Sequence, residues 1–166
     1  MAATDPRTTI RGIISTYITA NPLKKDDGAT NATTVHIWEG GPEPLKYLFY
    51  GTPAADVVIS YGEPQSSSRR PIQDKPVHYD MVYPVTVTTV DKPVTGASLT
   101  VTASRMQYKV TYALRAAVAA SAQSASGASP AYTLMINSDG SQRKMIGGLQ
   151  VYETQHRLVY ETSYGG

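Results

Sequence analysis

Cysteine is missing from this 166-residue sequence, and its absence excludes disulfide bonds and thiolate zinc sites. Charged residues make up only 17% of the chain and leave a net charge of +2, so bulk charge does not predict nucleic-acid binding. The sequence also lacks a run of about 18 apolar residues, which a membrane-spanning helix would need. The opening residues, MAATDPRTT, have neither the basic start nor the apolar core of a signal peptide. We therefore expect a soluble intracellular product without membrane contact.

Aromatic residues are unevenly represented, with 12 tyrosines but only one phenylalanine and one tryptophan. A charge-poor surface rich in tyrosine resembles the composition of subunit interfaces. A β-rich protein would give the same count, because strands favour tyrosine and threonine. The length fits one domain, residues 1–166, with a single core.

The first predicted element is a helix over Asp5–Ala20. Asp5 can cap this helix, and Pro6 suits its first position, where the missing N–H costs nothing. One face is apolar and consists of Ile10, Ile13, Ile14, Tyr17 and Ile18. The helix ends before Pro22, because the residue preceding a proline avoids the helical conformation. Residues 22–32 follow as a loop, and their charged stretch KKDD fits a solvated turn better than an acid/base pair.

The middle of the chain predicts short strands and a long hairpin. Thr33–Glu39 and Ala55–Tyr61 are rich in β-branched residues, whereas LKYLFY between them fits either a strand or a helical turn. Gly62–Pro76 contains three prolines, three consecutive serines and an arginine pair, which predicts a long mobile loop. Val77–Val90 then returns to strand character and completes the hairpin. Pro84 removes a backbone donor there, which predicts an edge strand or a β-bulge.

Val101–Gln123 has the cleanest helical period in the chain, with Thr102 or Ser104 as its predicted cap. Its apolar stripe consists of Met106, Val110, Ala113, Leu114 and Ala117. The opposite side carries Arg105, Tyr108, Lys109, Tyr112 and Arg115. A merely solvated face would hold more glutamate and lysine and fewer tyrosines. We therefore expect this helix to pack on a sheet and to meet a partner with its outer side.

The last third of the chain predicts strands. Ala131–Asn137 reads as a strand, Ser138–Gly140 as a turn, and Gly147–Tyr164 as a long final strand that alternates over most of its length. The order helix, strands, long hairpin, helix and strands predicts an α+β fold. This fold would be a single, mostly antiparallel sheet with a long hairpin, flanked by two helices.

Residues for catalysis or metal binding form no recognisable pattern. His36, His78 and His156 lack the close spacing of metal ligands. Neither a glycine-rich phosphate loop nor a nucleophile elbow is present. We therefore predict a protein that is not an enzyme and that has no cofactor or metal. Two basic pairs, Arg69–Arg70 and Arg143–Lys144, lie in predicted loops and would either contact a phosphate or an acidic partner or simply add solubilising charge.

The order and length of these elements resemble the tail-terminator (tail-completion) proteins of long-tailed bacteriophages. The resemblance rests on a helix over Arg7–Ala20, the strand TTVHIWE, and the hairpin ADVVISY to HYDMVYPVTVTTV. It continues with the long helix SRMQYKVTYALRAAVAA and two strands that end in LVYETSY. That family has no signature motif, so no catalytic or ligand residue is implied.

The resemblance implies a virion protein of the tail or neck, made in the host cytoplasm. Six copies would form a ring on the last ring of the tail tube, present a surface to the head–tail connector, and let DNA pass without sequence-specific binding. Such a ring needs two different complementary patches on each subunit. We place one patch on the outer helix side with Arg105, Tyr108, Lys109, Tyr112 and Arg115. The other lies near Tyr79 and Tyr83 or on the final strand, and the two basic pairs face a partner or the DNA.

Three other functions remain open at this point. Another neck component or a tail-tube protein shares the hairpin-rich α+β design. A single-stranded nucleic-acid binder would stack bases on the strand tyrosines Tyr79, Tyr83, Tyr152 and Tyr160, although the low net charge argues against it. A small hydrolase or metal enzyme is the third alternative.

Overall fold

A computed structural model describes the backbone of residues 6–38, 41, 43–63, 65–70, 78–93, 99–123 and 132–163, and the side chains of most of them. Within these ranges the helices are α1 (Pro6–Ala20), α2 (Pro44–Tyr50) and α3 (Ala103–Gln123). The strands are β1 (Thr34–Trp38), β2 (Val57–Tyr61), β3 (Gln65–Arg70), β4 (His78–Val90), β5 (Lys92–Pro93), β6 (Leu99–Val101), β7 (Tyr132–Ile146) and β8 (Leu149–Ser163). The predicted α+β class is confirmed.

The main sheet has the strand order β1-β2-β4-β8-β7, and β3 pairs with β4 beside β2. β1 runs parallel to β2, and the other neighbours in this sheet are antiparallel. The connection between β1 and β2 contains α2, since parallel neighbours need a crossover. β5 and β6 form a separate two-stranded ribbon, which the prediction of a single sheet did not include.

The sheet has a hydrophobic core on each face. Helices α1 and α3 pack on one face, and their core includes Ile14, Leu114, Ile59, Val87 and Leu158. Helix α2 packs on part of the opposite face, and its core includes Leu48, Ile37, Val58, Val90 and Val151. Neighbouring strand residues such as Val58 and Ile59 therefore belong to different cores, because side chains alternate along a strand.

The two long helices match their predicted spans within two residues, but the cap of α3 comes from elsewhere. All five residues of its predicted apolar stripe are buried. The first helical N–H, of Ala103, donates to the carboxylate of Asp91 at 2.8 Å. The Thr102 hydroxyl instead donates to the Asp26 carboxylate at 2.6 Å. The predicted cap of α1, Asp5, lies outside the described residues.

The central hairpin is confirmed, but the segment predicted as its loop is partly a strand. β2 and β4 pair antiparallel. Residues 65–70 of the predicted loop then continue along β4 as β3. Backbone hydrogen bonds alone can hold the polar segment QSSSRR in the sheet. Because this segment has no alternation of apolar and polar residues, its sequence does not predict a strand. Residues 71–77 lie outside the description, and LKYLFY, which fitted either element, is helix α2.

Pro84 lies in an interior strand rather than at an edge. β4 has β8 on one side and β2 and β3 on the other. Tyr61 at the end of β2 pairs with Val85, and Gln65 at the start of β3 pairs with Val82. The step from Tyr61 to Gln65 is four residues, whereas the step along β4 is three, so one extra residue lies between β2 and β3. The Pro84 carbonyl accepts from the Gly62 N–H at 2.9 Å at this point. The predicted bulge is therefore present, and the missing proline donor falls beside it.

The C-terminal strands form one long hairpin, and the predicted turn at Ser138–Gly140 is wrong. β7 runs through these residues with only a register shift between Ser138 and Gly140. The turn lies at Gly147–Gly148, between the paired residues Ile146 and Leu149. Their φ angles are 58° and 78°, and a two-residue hairpin turn favours glycine at such positive values.

Candidate functional site: the outer face of the long helix

The outer face of α3 carries a line of exposed side chains, which we call the α3 stripe: Arg105, Tyr108, Tyr112 and Arg115. Tyr108 is 75% exposed and Tyr112 67% exposed, and both arginines are exposed. The intervals of three, four and three residues align these side chains along one side of a helix. Two large aromatic side chains bracketed by guanidinium groups have the composition of a binding hot spot.

The rotation of α3 on the sheet explains why this line faces outward. Met106, Val110 and Leu114 are fully buried on the opposite side. The buried side chain of Gln107 also donates to the backbone carbonyls of Val87, at 2.7 Å, and Tyr152, at 3.0 Å. Two strands thus hold the helix by polar bonds as well as by apolar packing. Sequence reasoning missed this role of Gln107, since a glutamine in a helix is usually exposed.

The charge of the stripe has no local structural benefit. The α3 sequence contains no aspartate or glutamate, so i,i+4 ion pairs within the helix cannot form. Arg105 lies in the first turn, where the helix macrodipole disfavours a positive charge by about 0.3–1 kcal/mol at an exposed site. A positive face kept in spite of this cost favours a role in contacting another molecule.

Lys109 belongs to the same predicted patch but serves the interior of the fold. Its Nζ donates to the carbonyl oxygens of Lys24, at 2.6 Å, and Lys25, at 3.1 Å. The Asp26 N–H donates to the Thr100 carbonyl at 3.0 Å. The loop after α1 is therefore fastened to α3 and β6 rather than being the open solvated turn that the KKDD stretch predicts.

A buried carboxylate holds the other side of that loop. Asp56 is 1% exposed, and its Oδ2 accepts the Thr33 N–H at 2.8 Å. The ammonium groups of Lys25 and Lys92 each lie 3.5 Å from one of its oxygens. Burial lowers the pKa of Lys92, and the charge of Asp56 opposes that shift. The arrangement is a structural ion-pair cluster that joins the loop to the start of β2.

The second predicted patch is buried at Tyr83, whereas on the final strand Gln155 and Arg157 are exposed. Tyr83 is 1% exposed and belongs to the core beneath α1 and α3. On β8, Thr154, His156 and Leu158 are buried on the same face. Tyr83 therefore serves neither as a subunit contact nor as a base-stacking platform. The side chains of Tyr79 and Tyr160 lie outside the described residues.

The basic pairs predicted in loops lie on strands. Arg69 and Arg70 are part of β3, opposite Tyr79 and His78 of β4, and their side chains are outside the description. Arg143 and Lys144 are exposed on β7. The Arg143 guanidinium lies 4.8 Å from the ring centroid of Tyr152 and donates to its hydroxyl. This arginine therefore already has an aromatic partner within the chain.

An aromatic cluster near the end of β1 was not predicted. The His36 ring stacks on Tyr61 with centroids 5.8 Å apart, and its Nδ1 lies 2.8 Å from the Tyr61 hydroxyl. The Arg11 guanidinium lies 4.4 Å from the ring centroid of Trp38, which in turn contacts Tyr61. Burial, with the Arg11 charge as a smaller cause, lowers the pKa of His36 from 6.5 to about 4. His36 is therefore neutral at pH 7.

The histidines do not assemble a metal site within the described part of the chain. No group of three or more potential ligands occurs among these residues. His36 lies on β1 and His156 on β8, with β2 and β4 between them. Burial, followed by the charge of Arg115, lowers the pKa of His156. The side chain of His78 is not described.

An open cleft of about 280 Å³ lies beside α2, on the face of the sheet opposite α3. Its apolar walls include Ile37, Pro44 and Pro84, and Trp38 lines it as well. Glu43 carries the only charge among its lining residues in the described chain. The cleft is concave where the α3 stripe is convex.

No protein-family model matches the chain, and no curated protein matches it at a significant level. None of the helices in the described ranges is long and apolar enough to cross a membrane.

Proposed function

We propose that this protein is a structural subunit of a bacteriophage tail. It closes the end of the tail tube as an oligomeric ring, expected to be a hexamer, and provides the joining surface for the head-side connector. DNA passes through the ring without sequence-specific contacts. The observation that carries the proposal is the α3 stripe, a line of exposed tyrosines and arginines on a helix that has no acidic residue of its own.

Two further features support a ring-forming role. The order helix, strand, hairpin, long helix and paired final strands is the order on which the resemblance to tail terminators rests. The stripe also lies on a helix that is fixed to the sheet by an apolar core and by Gln107, so little order must be gained on binding. Rigid presentation of aromatic anchors lowers the entropic cost of association.

The proposal predicts a defined assembly size. Light scattering and native mass spectrometry of the purified protein should give a discrete species of about 107 kDa, six times the chain mass of 17.9 kDa. Electron microscopy should show rings with a central channel. Long polymers would instead favour a tail-tube protein, and a monomer at all concentrations would contradict the ring.

The contribution of the stripe can be separated from general effects of charge. Tyr112→Asp should abolish rings, because a buried interface aromatic typically contributes at least about 2 kcal/mol, or roughly 30-fold in affinity. Tyr50→Asp is the matched control, since Tyr50 is 83% exposed and lies on α2. Rings of normal size in Tyr112→Asp would count against the stripe as the contact.

A further inference from the structure

The α3 stripe carries no carboxylate that could pair with the arginines of a second stripe. In an antiparallel pair of α3 helices centred on Val110, Tyr108 faces Tyr112 of the second copy, and Arg105 faces Arg115. In a parallel pair each arginine faces its own copy. Either two-fold arrangement places like charges together without a carboxylate on the helix to neutralise them. A different surface that carries a carboxylate is therefore the better electrostatic complement of the stripe.

The cleft beside α2 has the complementary chemistry. The apolar residues Ile37, Pro44 and Pro84 line it, and Glu43, exposed at the start of α2, lines it as well. Glu63 is also exposed and directly follows Gly62, another lining residue. Each arginine of the stripe is three residues from a tyrosine, or about 4.5 Å along the helix axis.

The two surfaces lie on opposite faces of the sheet. α3 covers the face that carries Ile59 and Val87, whereas the cleft opens on the face that carries Ile37 and α2. Contact between the stripe of one subunit and the cleft of the next is then head-to-tail. Each copy can bind one neighbour through its stripe and another neighbour through its cleft. Contacts of this type form a closed ring when the rotation between neighbours divides a full turn, and an open filament when it does not.

We infer that the α3 stripe of one subunit docks into the α2 cleft of a second copy of this chain, with an arginine of the stripe paired to Glu43. This inference rests on the proposed ring and identifies the two surfaces that form it. The aromatic anchors supply the apolar contact, and the ion pair sets the orientation.

Two complementary variants test the inference. Arg105→Glu/Arg115→Glu inactivates the stripe but leaves the cleft intact, and Glu43→Arg does the reverse. Each variant alone should be monomeric by light scattering, with circular dichroism like that of the parent. An equimolar mixture should recover rings, because the arginine introduced into the cleft of one variant meets the glutamates introduced on the stripe of the other, while the unaltered surfaces also match. Gln142→Glu, at an exposed site on β7, is the charge control and should form rings alone.

The outcomes separate this contact from the proposed ring itself. If the parent protein and both variants form rings, the docking is wrong and the ring function stands. If Glu43→Arg forms rings alone and the stripe variant joins it as readily as it joins the parent protein, the stripe pairs with itself and the inference is overturned. If the parent protein forms no ring, both proposals fail.

Discussion

Asp56 offers a direct test of the interior of the fold. Its carboxylate is buried, accepts the Thr33 N–H, and faces the ammonium groups of Lys25 and Lys92. We expect Asp56→Asn to remove the negative charge while keeping an oxygen that can accept from Thr33. Asp56→Ala removes both. The two variants therefore separate the ion pairs from the hydrogen bond.

The magnitude follows from the burial of the three partners. Removing one member of a fully buried ion pair costs about 3–5 kcal/mol. The side chains of Lys25 and Lys92 remain 26% and 21% exposed, so water can partly solvate them once the carboxylate is gone. We therefore expect a loss of about 2–3 kcal/mol for Asp56→Asn. Asp56→Ala should lose about 1–3 kcal/mol more, because it leaves the Thr33 N–H without its acceptor.

Urea unfolding measures these losses in the free energy of unfolding, provided that its slope against urea concentration is the same in the variants and the parent protein. For a chain of this size, each kcal/mol should also lower Tm by about 2–4 °C. Asp27→Asn is the control, since this carboxylate is exposed and bonds only within its own turn. Wild-type stability in Asp56→Asn would refute the role of the ion pairs. Equal losses in the two Asp56 variants would refute the role of the Thr33 bond.

Three further predictions concern a histidine, a turn and a lysine. Burial lowers the pKa of His36 from 6.5 to about 4, so between these values the unfolded state binds a proton that the folded state does not. The free energy of unfolding should therefore decrease as the pH is lowered below 6.5, by about 1–2 kcal/mol between pH 6.5 and pH 5. Urea titrations of His36→Gln should show a smaller dependence on pH. Gly147→Ala should lower the free energy of unfolding by about 1–2 kcal/mol, measured by thermal unfolding, because alanine disfavours a positive φ. Gly147→Asn should lower it less, since asparagine tolerates this conformation. Equal losses in the two variants would contradict the assigned turn. Lys109→Met should cost about 1 kcal/mol. It should also speed amide exchange at Lys25 and Ala32, and unchanged exchange there would contradict the anchoring role.

The parts of the fold that the sequence predicts correctly are those with long, regular periodicity. α1 and α3 each repeat an apolar side over several turns, so a misplaced residue hardly changes the pattern. Their ends were less certain. The cap of α3 comes from Asp91, which lies outside the helix and is brought close by the β5–β6 ribbon. No local pattern can identify a capping residue that arrives through tertiary structure.

The errors at the C-terminal hairpin have a different origin. Ser138, Asp139 and Gly140 are favourable turn residues, yet β7 continues through them because β8 pairs with the strand on both sides of Asp139, which is left without a register partner. Tertiary pairing outweighs local turn propensity there. The Gly147–Gly148 pair was the stronger signal, since glycine pairs favour a two-residue turn. It lies between Ile146 and Leu149, which pair across the hairpin.

Tyr83 and Tyr108 were both predicted to be contact residues, but only Tyr108 lies at the surface. Alternation along a strand shows which residues share a face, but it does not show whether another layer covers that face. Tyr83 shares its face with Val85 and Val87, and both are buried beneath helices. In an amphipathic helix the apolar stripe itself marks the covered side, so the opposite side is exposed wherever the helix packs on a single layer. Tyr108 could therefore be placed at the surface from sequence alone. Its partner could not, because the proposed cleft combines β1, α2, β2 and β4, which come together only in the folded chain.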